Sequence, residues 1–249
     1  MPFSGEGSER LRNLRLFSVL VVVPLIAMAV PSLDAGAEAS DQPGQEILGK
    51  YLEAKETQQA ALRGVQMEVD IDAKLPKQEK HGKLHALRSI SKLGKITYKA
   101  LGFSGDNSIK SEVIARYLAE ETKPHDNAIT PVNYKFKYKG LIDHDGLRVY
   151  VFDVTPRKKA EGLFRGQLWL DAATAMPVRE SGKPVKTSIM VKKMEFVQDY
   201  EIHDGVAIPK HFQGTAEIRI IGRAELSIDY SNFTRQEIAD EVNQNDFRR

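Results

Sequence analysis

From Val65 to Leu75 apolar and polar residues alternate without a break: Val65, Met67, Val69, Ile71, Ala73 and Leu75 on one side, Gln66, Glu68, Asp70, Asp72 and Lys74 on the other. A period of two sustained this long dictates a β-strand with one face on a core and the other in water. A strand of this kind cannot stand alone. The rest of the chain has to supply partner strands and a cover for the apolar face.

The partners follow from the same kind of pattern. Lys80 to Ser89 and Lys95 to Phe103 read as strands, separated by the turn signal Ser91-Lys92-Leu93-Gly94. Beyond Pro131 the chain reads as strands throughout: Tyr134, Phe136 and Tyr138 alternating with Lys135, Lys137 and Lys139, then Leu147–Thr155, Phe164–Asp171, Met176–Glu180, Thr187–Ile202, Val206–Ile221 and Ala224–Phe233. Asp145-Gly146 and Asp204-Gly205 mark tight hairpin turns, because glycine takes positive φ without a steric cost. Two helices are available as cover. Ile47 to Arg63 repeats apolar residues at helical spacing and is stopped by Gly64. Asp106 to Glu121 carries the stripe Ile109, Val113, Ile114, Tyr117 and Leu118, with Asp106 or Ser108 as cap.

Short turns between nearly all strands make the sheet an antiparallel meander, not a parallel βαβ array. A single sheet of 10 or 11 strands must twist and curl. The expected fold is α+β and mainly antiparallel: a curved, unclosed half β-barrel with two or more helices over its concave face. No composition break divides residues 47–233, so residues 40–235 are expected to form one domain. Residues 40–46, with Pro43-Gly44, read as a flexible lead and residues 236–249 as a polar tail.

The first residues read as an address. Arg10, Arg12 and Arg15 precede an apolar run from Leu16 to Val30, and small residues lead to Ala37-Glu38-Ala39. This is the pattern of a secretory signal peptide, residues 1–39, cleaved near Ala39. Fifteen apolar residues are short for a span needing about 20, which argues against a retained anchor. The expected mature chain has 210 residues, with 33 basic and 30 acidic. The chain has no cysteine. That excludes disulfides, thiol catalysis, zinc ribbons and cysteine lipidation, and for an exported chain it favours a bacterial periplasm. A formal charge of +2 over the whole chain provides no global attraction to nucleic acid.

Motifs with chemistry are few. His125-Asp126, His144-Asp145 and His203-Asp204 could be metal ligands or acid–base pairs, but two of them precede Gly at hairpin turns. A hydrolase using His144 or His203 would require them to converge on a cleft. Asp143-His144-Asp145-Gly146 lacks the glutamate of a calcium loop, its twelfth position being Val154. Ser89-Ile90-Ser91-Lys92 has the spacing of a serine nucleophile motif but falls in a strand and turn. Lys135, Lys137 and Lys139 lie opposite the aromatic face, so bases could not stack beside the charges. No cofactor, metal or catalytic residue is expected. What stands out is apolar and aromatic density on a sheet too wide for two helices to cover. An uncovered apolar concave surface is a ligand groove or an interaction site. The expected lining is Met67, Val69, Ile71, Tyr98, Tyr134, Phe136, Tyr138 and Trp169.

The stretch from Gly166-Gln167-Leu168-Trp169-Leu170-Asp171 through Met176-Pro177-Val178-Arg179, and the later Tyr200 to Lys210 with its turn at His203-Asp204-Gly205 and Pro209, resemble hairpins of the LolA-like outer-membrane lipoprotein-sorting proteins. The order of elements is similar over residues 47–233; specific residues match within 160–212. The resemblance implies an unclosed barrel with helices as a lid over a hydrophobic cavity, and a periplasmic carrier of lipoprotein acyl chains. Relatives of that fold include regulators of envelope stress that bind proteins or amphiphiles. The expected function is therefore a non-enzymatic, monomeric periplasmic binding or carrier protein for a lipid, an acyl chain or another amphiphile, exchanging with membrane-associated donor or acceptor proteins. The alternative is a periplasmic sensor or interaction module. The face richer in Tyr and Met than an acyl slot requires leaves the ligand open.

Overall fold

The computed structural model describes residues 42–123 and 127–235. The expected signal peptide, the polar tail and the His125-Asp126 pair lie outside the described residues. Helix α1 spans Gln42–Ala61 and begins five residues before the apolar pattern does. Pro43 falls in its first turn, where a missing N–H costs nothing, so residues 42–46 of the expected flexible lead are helical. The strands are β1 Val65–Leu75, β2 Lys80–Ile90, β3 Ile96–Gly105, β4 Tyr134–His144, β5 Leu147–Pro156, β6 Phe164–Asp171, β7 Pro177–Pro184, β8 Val191–His203, β9 Val206–Ile218 and β10 Gly222–Arg235. Between β3 and β4 come α2 Asn107–Ile109, a π-helical turn Lys110–Ile114 and α3 Ala115–Glu121. Asp106 caps this segment by accepting the Ser108 N–H at 2.7 Å. The π-turn is not legible in the apolar stripe. It places Ile109 and Ile114, five residues apart, on the same inward side, where both are fully buried.

All ten strands form one sheet in the order β3-β2-β1-β10-β9-β8-β7-β6-β5-β4, and every pairing is antiparallel. The chain enters in the middle with β1 and builds out to the edge at β3. It then crosses to the opposite edge at β4 and returns strand by strand until β10 pairs with β1. The sheet stays open, with β3 and β4 as edges. The crossing from one edge to the other is made through α2 and α3, so that segment must lie over a face of the sheet. The expected curved, unclosed half-barrel is the observed architecture.

Register assigns the faces. β1 buries Val65, Met67, Val69, Ile71, Ala73 and Leu75, the alternation read from sequence. Their partners Ala86, Leu84 and Ile228 share that face, and Ile109 and Ile114 from the crossing segment cover it. Gly82 makes the close approach possible: a Cβ there would stand 2.9 Å from Ile109 Cγ2. At the other side of the sheet Tyr134, Phe152, Val154, Phe164, Leu168 and Leu170 are covered by Ile47 and Tyr51 of α1. Both helices therefore lie on the concave face. The opposite face carries paired charges on adjoining strands: His85 on Asp70 at 2.9 Å, His211 on Asp229 at 2.6 Å and Arg179 on Asp199 at 2.6 Å. Exposed pairs of this kind add little stability, but they keep a sheet face soluble and in register.

The bend of the sheet has a visible cause. Gly166 of β6 stands opposite Gly182 of β7, which stands opposite Phe196 of β8, which stands opposite Gly214 of β9. A Cβ on Gly166 would lie 1.8 Å from Ser181 O, and one on Gly182 would lie 2.4 Å from Arg165 O. The two backbones approach closer than any side chain permits, and the space above them is filled by the rings of Phe164, Phe196 and Phe212. Gly166→Ala is expected to lower stability by about 2–3 kcal/mol, as overpacking against backbone does. Gly49→Ala, at an exposed α1 site with nothing within 4 Å, should raise it by about 1 kcal/mol. Denaturant midpoints of the two variants, moving in opposite directions, check this account.

Candidate functional site

The concave face holds two apolar clusters and a polar gap between them. A chain of rings crosses it: Tyr134 to Phe164 at 5.7 Å, Phe164 to Phe196 at 5.0 Å, Phe196 to Phe212 at 6.2 Å, and Phe212 to Tyr117 of α3 at 5.6 Å. Phe196 packs against both clusters. Beside these rings, α1, the 127–129 segment and strands β6–β8 line a cleft of about 540 Å³, within the range of small-molecule sites. Phe164, Phe196 and Ile129 give it apolar walls. Lys55 and Gln59 of α1, Asn127, and Glu180 of β7 give it polar ones.

The polar side is a connected group. Tyr51 donates its hydroxyl to Ile129 O at 3.1 Å, and Lys55 Nζ donates to the Tyr51 hydroxyl at 3.2 Å. Gln58, one turn on, donates to Ala207 O at 3.0 Å, while its Oε1 is buried with no hydrogen-bond partner among the described residues. Across from them Tyr200 hydrogen-bonds to the Glu180 carboxyl. Burial holds that carboxyl above the ordinary glutamate value, opposed by Lys55 and by the Tyr200 hydrogen bond. Burial likewise pulls the Lys55 ammonium below its ordinary value, with Glu180 opposing. Each charge offsets only part of what burial costs the other. The inward side of α1 is thus apolar in its first half and polar in its second, which explains why its apolar spacing fades after Ala54.

The expected lining is divided by the structure. Met67, Val69 and Ile71 are on the concave face, but beneath Ile109 and Ile114 and fully buried, so they form filled core and not open groove. Tyr98 is on the same face and is engaged by the lid. Its hydroxyl donates to Glu121 of α3 and accepts from Arg88 Nε at 3.1 Å. Tyr134 is fully buried and accepts the Phe164 N–H at 3.2 Å. Phe136 and Tyr138 are half-buried beside Phe152 near the β4 edge, at 6.3 and 5.3 Å. Trp169 lies on the opposite face. Leu168 and Leu170 take the two inward positions, so the residue between them must point outward. There it sits under the Arg179 guanidinium at 5.1 Å and edge-on to His144 at 4.9 Å. Lys55, Gln59 and Glu180 were not anticipated. The one available signal was parity: Glu180 occupies the inward row with Gly182 and opposite Leu168.

The histidines do not converge. His144 ends β4 and lies 3.4 Å from Arg179; His203 ends β8 and lies 3.1 Å from Glu201. The following turns, with Asp145 at φ 54° and Gly146 at 79°, and Asp204 at 50° and Gly205 at 74°, are the tight hairpins expected. Among the described residues no three His, Asp or Glu side chains are placed to hold a metal. No helix among them is long and apolar enough to cross a membrane.

No protein-family model matches the chain, and no curated protein matches it. Solved structures of similar outline include a domain from Vibrio parahaemolyticus assigned to outer membrane lipoprotein sorting, at 12% identity and TM-score 0.43, covering 79% of this chain and 95% of that one. A LolA superfamily protein from Nitrosomonas europaea is similar at 13% identity and TM-score 0.40, covering 80% and 96%. A DUF1329 family protein from Desulfovibrio piger is similar at 15% identity and TM-score 0.43, covering 78% and 94%.

Two expected outcomes follow from the buried charges. Arg88 is buried and binds Glu121 through Nε at 3.1 Å and Nη2 at 3.0 Å, which ties α3 to β2. Glu121→Ala leaves that guanidinium buried without a countercharge and should cost about 3–5 kcal/mol, whereas Arg88→Met with Glu121→Leu should recover most of it. Denaturant unfolding of the three variants measures this. The Glu180 carboxyl, raised in the folded state, contributes stability that is complete below the unfolded value near 4.5 and is lost as pH rises through the folded value. Glu180→Gln should therefore flatten the fall in stability on the alkaline side of pH 4.5, which a pH series of melting curves would show.

Proposed function

We propose that this chain is a non-enzymatic binding or carrier protein for an amphiphile, such as a lipid or a lipoprotein acyl chain, held in the cleft between α1, the 127–129 segment and the sheet. The observation that carries this reading is the composition of that cleft. Phe164, Phe196 and Ile129 offer the start of a hydrocarbon tail the smaller, apolar part of the lining. Lys55, Gln59, Asn127 and Glu180 along its other side suit a polar head. The ligand site we propose is at the rings of the bend and not at Met67, Val69 and Ile71, which lie under Ile109 and Ile114. Export to the periplasm after cleavage near Ala39, and a single domain over residues 40–235, belong to the same proposal.

A second reading, a sensor or interaction module, draws support from the extent to which the concave face is already filled by Ile47, Tyr51, Ile109 and Ile114. The two readings separate on one measurement. Native mass spectrometry with lipid extraction of the purified protein should recover a bound amphiphile. Phe164→Ser with Phe196→Ser should lower its occupancy at least tenfold, the loss expected when two aromatic walls are removed. Protein that carries no amphiphile and takes up none from added fatty acid would sink the carrier reading in favour of the sensor.

A further inference from the structure

In an antiparallel meander the turns fall alternately at the two ends of the strands, and here the two ends differ. One end carries the hairpin turns 91–95, 145–146, 172–176 and 204–205, with Lys92 and Lys95 against Asp145 and Asp204. The other end carries the turns 76–79, 157–163, 185–190 and 219–221. Its charges are Lys77, Arg157, Lys158, Lys159, Lys186 and Arg219 against Glu79 and Glu161, a net of +4. Glu161 is itself paired with Lys186 at 3.2 Å.

The same end presents large apolar side chains to water. Val132, in the segment leading into β4, is 79% exposed; Ile189 and Ile220 are 82% and 79% exposed. These tips are held, not loose. Arg157 Nε donates to Pro131 O at 2.7 Å, and its N–H to Asn133 O at 2.8 Å, bracing the loop of Val132. Arg219 Nε donates to Ile189 O and its N–H to Met190 O, both at 2.9 Å, so the loops of Ile189 and Ile220 run side by side. Gln78 adds a bond to Ile221 O at 3.1 Å. Fixed apolar tips ringed by cations are the chemistry of a surface that meets acyl chains and anionic headgroups together.

We propose that this basic end of the half-barrel docks on an anionic lipid bilayer, with Val132, Ile189 and Ile220 entering the headgroup boundary. The cleft is lined by Asn127 to Ile129 and by Gly162, which belong to the segments that carry Val132 and Lys158–Lys159. Docking would thus bring the mouth of the cleft to the membrane. The proposal does not depend on what the cleft binds.

Because the chain has no cysteine, Ile220→Cys and Leu93→Cys can each carry one environment-sensitive fluorophore on the full chain. Leu93 is 95% exposed at the opposite end and serves as the reference. On phosphatidylcholine vesicles containing phosphatidylglycerol, the Ile220 probe should shift to the blue and the Leu93 probe should not. On phosphatidylcholine alone the Ile220 shift should be lost. Lys158→Gln with Lys159→Gln should weaken the Ile220 response about 30-fold, from about 1 kcal/mol for each cation. Equal shifts at both probes would mean attachment through some other segment and overturn the proposal. A shift on polyglutamate with none on vesicles would overturn it in favour of an acidic protein partner.

Discussion

The pairing of β1 with β10 is the contact on which the rest of this architecture depends. Val69 lies beside Tyr230 and Ile71 beside Ile228, near opposite ends of the described chain. Once that pair forms, β3 and β4 become the two edges, and the segment joining them has to cross the sheet. The lid over the concave face follows from this connection. Its hold is reinforced by Arg88 and Glu121, and by Ile109 seated over Gly82. Bringing together strands so distant in sequence incurs a large loop-closure entropy before any contact compensates it, so this pairing is also where folding should be slow.

The interior is not a uniform apolar slot. Two clusters, one under α2–α3 and one under α1, meet at Phe196 above a row of glycines. The glycines allow the strands to bend, and the rings occupy the volume that side chains would otherwise fill. Beside this junction the second half of α1 lays Lys55, Gln58 and Gln59 over Glu180 and Tyr200. Polar groups out of water are tolerated when they satisfy one another. The amphiphile we propose would meet both halves, with its tail on the rings and its head on the charges.

Much of the fold could be read residue by residue. The alternation in β1, the Asp-Gly turns, the Gly64 stop and the Asp106 cap are local features with local causes, and each is found where expected. The candidate site was read less well. Faces follow from apolar alternation, and by register Tyr134, Phe136 and Tyr138 lie inward while Trp169 lies outward. There the period of two is decided by Leu168 and Leu170, and Arg179 gives the indole a partner outside. Lys55 carried no signal, and the inward parity of Glu180 was outweighed because charged residues on a helix and a strand are ordinarily solvated.

The amino-acid sequence alone determined an antiparallel sheet of about ten strands with two covering helices, since period, turn chemistry and caps act over a few residues. The tertiary structure decided which part of the concave face is filled and which is left as a cleft. It also gathered the basic turns and the apolar tips at one end. Both depend on strand order and on where the crossing segment lies, and these are set by contacts between residues far apart in the chain.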